Sequence, residues 1–211
     1  MKPFDGKQPS HEASAAESRA VASLIACGRA RSALRGGDRL PLFVLADSDG
    51  TQRSAREALS KGPLVVGFLL GAWSSAACLA ASALESACPA IEARGGSVMA
   101  ISPQSAAQAR SMKRGCKTSY PLLSDAGGAI AAQFGIRWRV PADLKEAYGR
   151  AGIDLGQING EESWSLPMSA LYVAATDGII AYAQIDPDFR RPIDPSVVLD
   201  TLEHLREVRM R

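Results

Sequence analysis

The side chains able to do nucleophilic or redox chemistry gather in one short stretch, Trp73-Ser74-Ser75-Ala76-Ala77-Cys78. It follows a continuous apolar run, Leu64 to Leu70, closed by Gly71, and it precedes an alanine-rich segment. A cysteine in the first turn of a helix at that point would meet unpaired backbone N–H groups and the positive end of the helix dipole. Both stabilise a thiolate and make it a nucleophile near neutral pH. The remaining cysteines are Cys27, Cys88 and Cys116, and no C-x-x-C pair is present. On one straight helix, Cys78 and Cys88 would stand roughly 15 Å apart, too far to bond. The sequence leaves open a pairing of Cys88 or Cys116 with Cys78, while Cys27 reads as a packing residue. His11 and His204 are the only histidines and lie near opposite ends. No zinc site of ordinary ligand set is visible, and Ser74 and Ser75 have no evident base for nucleophilic catalysis. Their simpler role is to cap the helix, worth about 1 kcal/mol.

The elements that position this stretch can be read outward from it. Leu64 to Leu70 shows no polar alternation, so it predicts a central strand covered on both faces, with residues 73 to 78 where its carboxyl end meets a helix. That helix is expected over 76–93, with Pro89 kinking or ending it early. Upstream, 11–35 has helical composition stopped by Gly36-Gly37. Residues 42–46 and 51–54 predict a hairpin around Asp47-Ser48-Asp49-Gly50, and a short helix follows over 55–60. Downstream come a buried strand over 97–101, a helix over 104–115, an edge strand over 121–123 and a helix over 126–134 closed by Gly135. A helix over 142–150 and a turn at Asn159-Gly160 come next. A hairpin over 171–174 and 179–185 precedes a last helix over 195–208, whose inward face is Val197, Val198, Leu202 and Leu205. Trp138, between two arginines, reads as a half-buried cover residue; Arg190 and Arg191, after a proline-bounded loop, are within reach of an anion near the site but read more simply as solvated loop charges.

Several segments in order resemble the peroxiredoxin-like group of the alkyl hydroperoxide reductase/thiol-specific antioxidant family. They are Gly37-Asp38-Arg39-Leu40-Pro41-Leu42-Phe43-Val44-Leu45 with Asp49-Gly50, Arg94 to Gln104, Tyr120 to Asp125, Phe134-Gly135-Ile136, and Ser163-Trp164-Ser165-Leu166-Pro167-Met168. The resemblance implies an α/β, thioredoxin-like fold of peroxiredoxin type, a mixed sheet with helices on both faces. Residues 1–10 would be a flexible arm, 11–36 an added helical segment and 37–211 the domain, with an insertion at about 136–165. It also implies peroxide as substrate, a thiol reductant as partner and a homodimer.

The same resemblance locates two departures. Relatives carry Trp-Cys-x-x-Cys after the strand; here Ser74 stands at the first cysteine position and Ala77 at the second. Cys78 lies one residue further, which on a helix means about 100° of rotation and 1.5 Å of rise. Relatives also carry Leu-Pro-x-Pro-Ala before the strand that faces the site, whereas this chain reads Leu166-Pro167-Met168-Ser169-Ala170. A cis non-prolyl bond costs about 2.5–4 kcal/mol, so a trans Met168–Ser169 peptide is expected. The expected function is therefore a thiol-dependent antioxidant fold with a degenerate site, peroxide reduction weak or lost, and Cys78 as the local candidate thiol. The alternative is a non-catalytic binding module, with Trp73, Ser75 and Ser169 around a pocket for a small anion at the helix amino end.

Composition narrows the classes further. The chain has 211 residues, 46% of them apolar, enough for one sizeable core, and a net charge of +2. Its basic and acidic residues are interspersed, which points away from nucleic acid and anionic membrane surfaces. No segment reads as a secretory signal or approaches the roughly 20 apolar residues of a membrane span. A cytoplasmic location, reduced thiols and no cofactor are the resulting expectations.

Overall fold

The computed structural model describes residues 11–209, so the expected arm at 1–10 lies outside the described residues. Its centre is a five-stranded sheet of order β5-β4-β3-β8-β9. The strands are β3 (Leu64–Phe68), β4 (Ser97–Ser102), β5 (Leu122–Ser124), β8 (Ser169–Ala174) and β9 (Ile180–Asp186). β3 pairs parallel with β4 and antiparallel with β8, with Phe68 opposite Ile101 and Ala170. All five residues of β3 are buried, as its unbroken apolar run requires. Two small antiparallel ribbons flank this sheet: β1 (Val44–Ala46) with β2 (Gln52–Ser54), and β6 (Arg137–Arg139) with β7 (Ser165–Pro167).

Helices cover both faces. α3 (Ser75–Ala93) packs with α8 (Ser196–Arg209) on the face that carries Gly67 and Leu171. A Cβ on Gly67 would lie 3.0 Å from Leu84, so glycine there lets α3 approach the strand closely. On the opposite face Phe68, Phe134 and Tyr172 form an aromatic cluster, with Phe68 and Phe134 ring centroids 4.8 Å apart. The other helices are α1 (His11–Ala26), α2 (Ala55–Leu59), α4 (Ala106–Cys116), α5 (Ala129–Gln133), α6 (Ala142–Arg150) and α7 (Leu155–Asn159).

Six expectations need correction. α1 ends at Ala26 rather than Arg35, because Gly28 takes the left-handed conformation (φ 64°) and only a 3-10 turn, Arg29–Ser32, follows. α3 runs unbroken through Pro89; buried Leu84, Cys88 and Ile91 on both sides of the ring offset the one lost N–H bond. α4 stops one residue later than Gly115, on Lys117 at φ 53°. Cys27 is exposed rather than packed, and Val197 lies outside the inward face of α8. Trp138, far from half-exposed, is buried and stacks on Phe189 at 5.0 Å.

α1 lies against α6. Arg19 pairs with Asp143 and Arg150 with Glu12 across the contact. Between these pairs, buried Glu17 accepts the Tyr148 hydroxyl at 3.0 Å. Burial raises the Glu17 carboxyl above its ordinary value, more than the Tyr148 bond and the nearby Arg190 lower it. With the folded value raised, the native state holds the extra proton, and stability falls as pH climbs through and above the ordinary carboxylate range. Glu17→Gln is therefore expected to raise the stability at pH 7, by on the order of 1 kcal/mol. Urea titrations at pH 4 and pH 7 should show the gain at the higher pH alone.

Candidate active site at the amino end of helix α3

After β3 the chain leaves the sheet through Leu69 and Leu70 and turns at Gly71 (φ 130°). A Cβ there would fall 2.5 Å from the Gln104 side chain, so only glycine fits. Buried Gln104 accepts the Ala72 N–H at 3.3 Å, which ties the loop to the end of β4. Ser74 then starts the helix. Its hydroxyl accepts the Ala77 N–H at 3.3 Å, and its carbonyl accepts the Cys78 N–H at 3.1 Å. This is the capping role expected for Ser74; Ser75 sits exposed in the first turn.

That start sets the phase of α3. Ala77 faces inward and, with Ser169, Phe189, Arg191 and Ile193, lines a narrow gap that admits no water molecule. The expected ligand pocket at the amino end of the helix is thus closed, because Phe189 and Ile193 fill it from the loop after β9. Ser169 donates its hydroxyl to the Phe189 carbonyl at 3.4 Å. Every peptide bond of the described residues is trans, Met168–Ser169 included. Arg191 reaches the edge of the gap. Arg190 is not a free loop charge: it forms a two-pronged pair with Asp188 and donates to Ser18 of α1 at 2.8 Å. Trp73 is buried, its ring 5.4 Å from that of Tyr148, and its indole N–H has no acceptor among the described residues.

Cys78 points away from this gap. Its half-buried sulfur donates to the Ala72 carbonyl at 3.6 Å, and Cys116, the last residue of α4, is close enough for the two thiols to influence one another. The neighbouring Cys116 thiol, together with burial, pushes the Cys78 thiol far up, and Cys78 in turn brings the Cys116 thiol down to about 7. The carboxyl end of α4 opposes a thiolate by about 0.3–1 kcal/mol. Burial raises Cys88, elsewhere on α3, to about 11. The sequence left the Cys78–Cys116 pairing open because nothing in the spacing shows that two helices meet there.

Outside this region, a hollow of about 540 Å³ is lined by Lys145, Glu146, Asp154 and Trp164. Lys145 already caps the Trp164 ring at 4.5 Å.

A mixed sheet of this order, with the buried strand β3 feeding a capped helix, defines a thioredoxin-like fold of the peroxiredoxin type. The chain belongs to the AhpC/TSA family, whose model matches residues 36–183. A Mycobacterium tuberculosis protein named as a peroxiredoxin is 31% identical over 104 residues, 49% of this chain and 68% of that protein. Peroxidoxin BcpB from the same organism superposes with a TM-score of 0.63 at 23% identity, covering 81% of this chain and 97% of that one. A variant of peroxiredoxin 6 from Arenicola marina gives 0.67 at 13% identity, over 84% and 76% of the two chains. No helix among the described residues is long and apolar enough to cross a membrane.

The Ser74 cap is testable by itself. Ser74→Ala is expected to destabilise the fold by about 1 kcal/mol, with the denaturant midpoint lowered and the slope unchanged. Ser74→Asp should restore most of the loss.

Proposed function

We propose that this chain keeps the thiol-dependent antioxidant frame of its family while peroxide reduction at the family's position is weak or lost. The observation that carries this reading is Ala77. It occupies the inward first-turn site beside Ser169 and Arg191, where the resemblance to relatives puts a reacting sulfur, and it has none to offer. Two further features support it: the gap before Ala77 has no space for a peroxide, and Ser74 spends its hydroxyl on the helix cap. Cys78 is the thiol next to that position. The neighbouring Cys116 thiol and burial keep it protonated, so it attacks a peroxide slowly. The proposed substrate is a hydroperoxide and the proposed reductant a small or protein thiol, in the reducing cytoplasmic setting that four free cysteines suit.

The test is peroxide consumption with thiol reductant present, for the wild type, Cys78→Ser and Ala77→Cys. The wild type is expected to consume peroxide within about tenfold of free cysteine at the same pH, and Cys78→Ser to change that rate little. Ala77→Cys, which returns a thiol to the inward first-turn site, is expected to exceed the wild type by at least about tenfold. A fast wild-type rate abolished by Cys78→Ser would overturn the reading.

A further inference from the structure

A charged patch forms where the 3-10 turn after α1 meets the β6–β7 ribbon. The turn, Arg29–Ser32, is locked to the connection between α5 and β6. The Ser32 hydroxyl donates to the Gly135 carbonyl at 3.0 Å, Leu34 donates its N–H to the Phe134 carbonyl at 3.1 Å, and a Cβ on Gly135 would fall 1.9 Å from the Ser32 carbonyl oxygen. This contact brings together Arg29, Arg31 and Arg35, from the turn and its exit, with Arg137 and Arg139 of β6. Arg29 and Arg137 stand 108 positions apart in the chain, yet the Arg29 Nε donates to the Arg137 carbonyl at 3.1 Å. Arg35 donates to the Ala30 carbonyl at 2.7 Å, Arg137 to the Gly127 carbonyl at 3.1 Å, and the Arg31 side chain lies across Gly28. Arg137 and Arg139 alternate with buried Trp138, so both leave β6 on the other side, about 6.6 Å apart.

Carbonyls hold these side chains in place without cancelling their charge. Among the described residues none of the five has a carboxylate partner, whereas Arg19, Arg53 and Arg190 elsewhere meet Asp143, Asp47 and Asp188. The carboxylates close in sequence are used otherwise: Asp38 accepts the Arg35 N–H at 2.7 Å, and buried Asp125 accepts the Ile130 and Ala131 N–H groups. Arg29, Arg31, Arg35 and Arg139 are exposed and Arg137 partly so. A guanidinium carries five N–H donors, so one or two bonds to a carbonyl leave the rest free for a ligand. We propose that this patch binds a multiply charged phosphate chain, of the kind carried by a nucleoside triphosphate or an inorganic polyphosphate. This goes beyond the reading above, since position 77 has no part in it. Guanidinium forks match phosphate oxygens two at a time, and a chain of phosphates meets several forks where a single phosphate meets one. The five like charges repel one another, and a polyanion set among them relieves that repulsion. Side chains already anchored lose little freedom on binding. Trp138, the ring between Arg137 and Arg139, is buried and offers no face on which a base could stack, which favours a phosphate chain over single-stranded nucleic acid. Along the sequence the basic residues alternate with acids; the patch arises only when the two segments meet.

The experiment titrates the full chain by calorimetry at pH 7 with inorganic tripolyphosphate, and in parallel with orthophosphate, ATP and hexaglutamate. Tripolyphosphate is expected to bind at least about tenfold more tightly than orthophosphate or hexaglutamate. Its affinity should fall at least about tenfold as KCl rises from about 0.05 to 0.3 M. Arg31→Gln and Arg139→Gln alter exposed side chains that the fold does not need, and each should weaken tripolyphosphate binding by about threefold to tenfold. Arg114→Gln removes the same charge from an exposed position on α4 and should change the affinity by less than about twofold. ATP matching tripolyphosphate leaves the phosphate chain alone as what is read, while a preference of about tenfold for either one names the nucleotide or the inorganic chain as the ligand. The proposal is overturned if tripolyphosphate is held no better than orthophosphate or hexaglutamate, or if Arg114→Gln costs as much affinity as Arg31→Gln and Arg139→Gln. Peroxide consumption enters none of these measurements, so this site and the reading of position 77 fail separately.

Discussion

The lack of room at Gly71 governs the rest of the site. β3 is held on both sides, by β4 and by β8, and its Leu69 N–H still bonds Ile101 beyond the last paired residue. The chain must therefore turn where the Gln104 side chain already stands, and it does so in a conformation that L side chains rarely adopt. Gln104 accepts from Ala72, the Ser74 N–H bonds back to the Gly71 carbonyl at 3.0 Å, and the helix begins from the Ser74 cap. Once that start is fixed, every later side chain of α3 has its direction assigned, about 100° per residue. A helix starting one residue later would have swung Cys78 inward; with the cap at Ser74 it is Ala77 that faces the gap.

A second layer secures the first. Trp73 sits under Tyr148, Tyr148 is held by Glu17, and Arg190 links Asp188 on one side to Ser18 on the other. Thus α1, α6 and the loop after β9 converge on the strand–helix junction, and that loop delivers Phe189 and Ile193 into the gap. Trp138 stacks on Phe189 from the β6–β7 ribbon and its indole N–H reaches the Pro167 carbonyl at 3.3 Å. The closure is made of well-packed aromatic surface, which resists opening more than a mobile polar loop would.

Much of this was legible in the residues. The apolar period and the Gly71 break revealed β3 and α3, the Asp47-Ser48-Asp49-Gly50 turn revealed the β1–β2 ribbon, and 142–150 showed as a helix end to end. The Ser74 cap followed from hydroxyl chemistry at a helix start. Other features lay beyond local pattern. Gly28 and Lys117 end helices through backbone conformations that neighbouring residues do not announce. Cys27 is exposed because α1 keeps its buried stripe on Ala13, Ala16, Ala20 and Leu24, a face chosen by what α6 offers. The approach of Cys116 to Cys78 depends on the bonds from Ser119 to Glu85 and from Tyr120 to Ala81, information of long range that spacing cannot carry. Phe189 and Tyr148 escaped for the same reason.

One residue of displacement changes what a helix end does to a sulfur. At position 77 a side chain faces into the gap, near the free N–H groups of the first turn, where a thiolate would be favoured. At position 78 the amide is already spent on the Ser74 carbonyl, and the sulfur lies against the Ala72 carbonyl, an acceptor that favours the protonated form. The same helix end therefore leaves Cys78 a donor rather than a nucleophile. Cys116 stands at the opposite, carboxyl end of its own helix, where the dipole also disfavours a thiolate, and the side of α3 on which Cys78 resides follows from where Ser74 begins the helix.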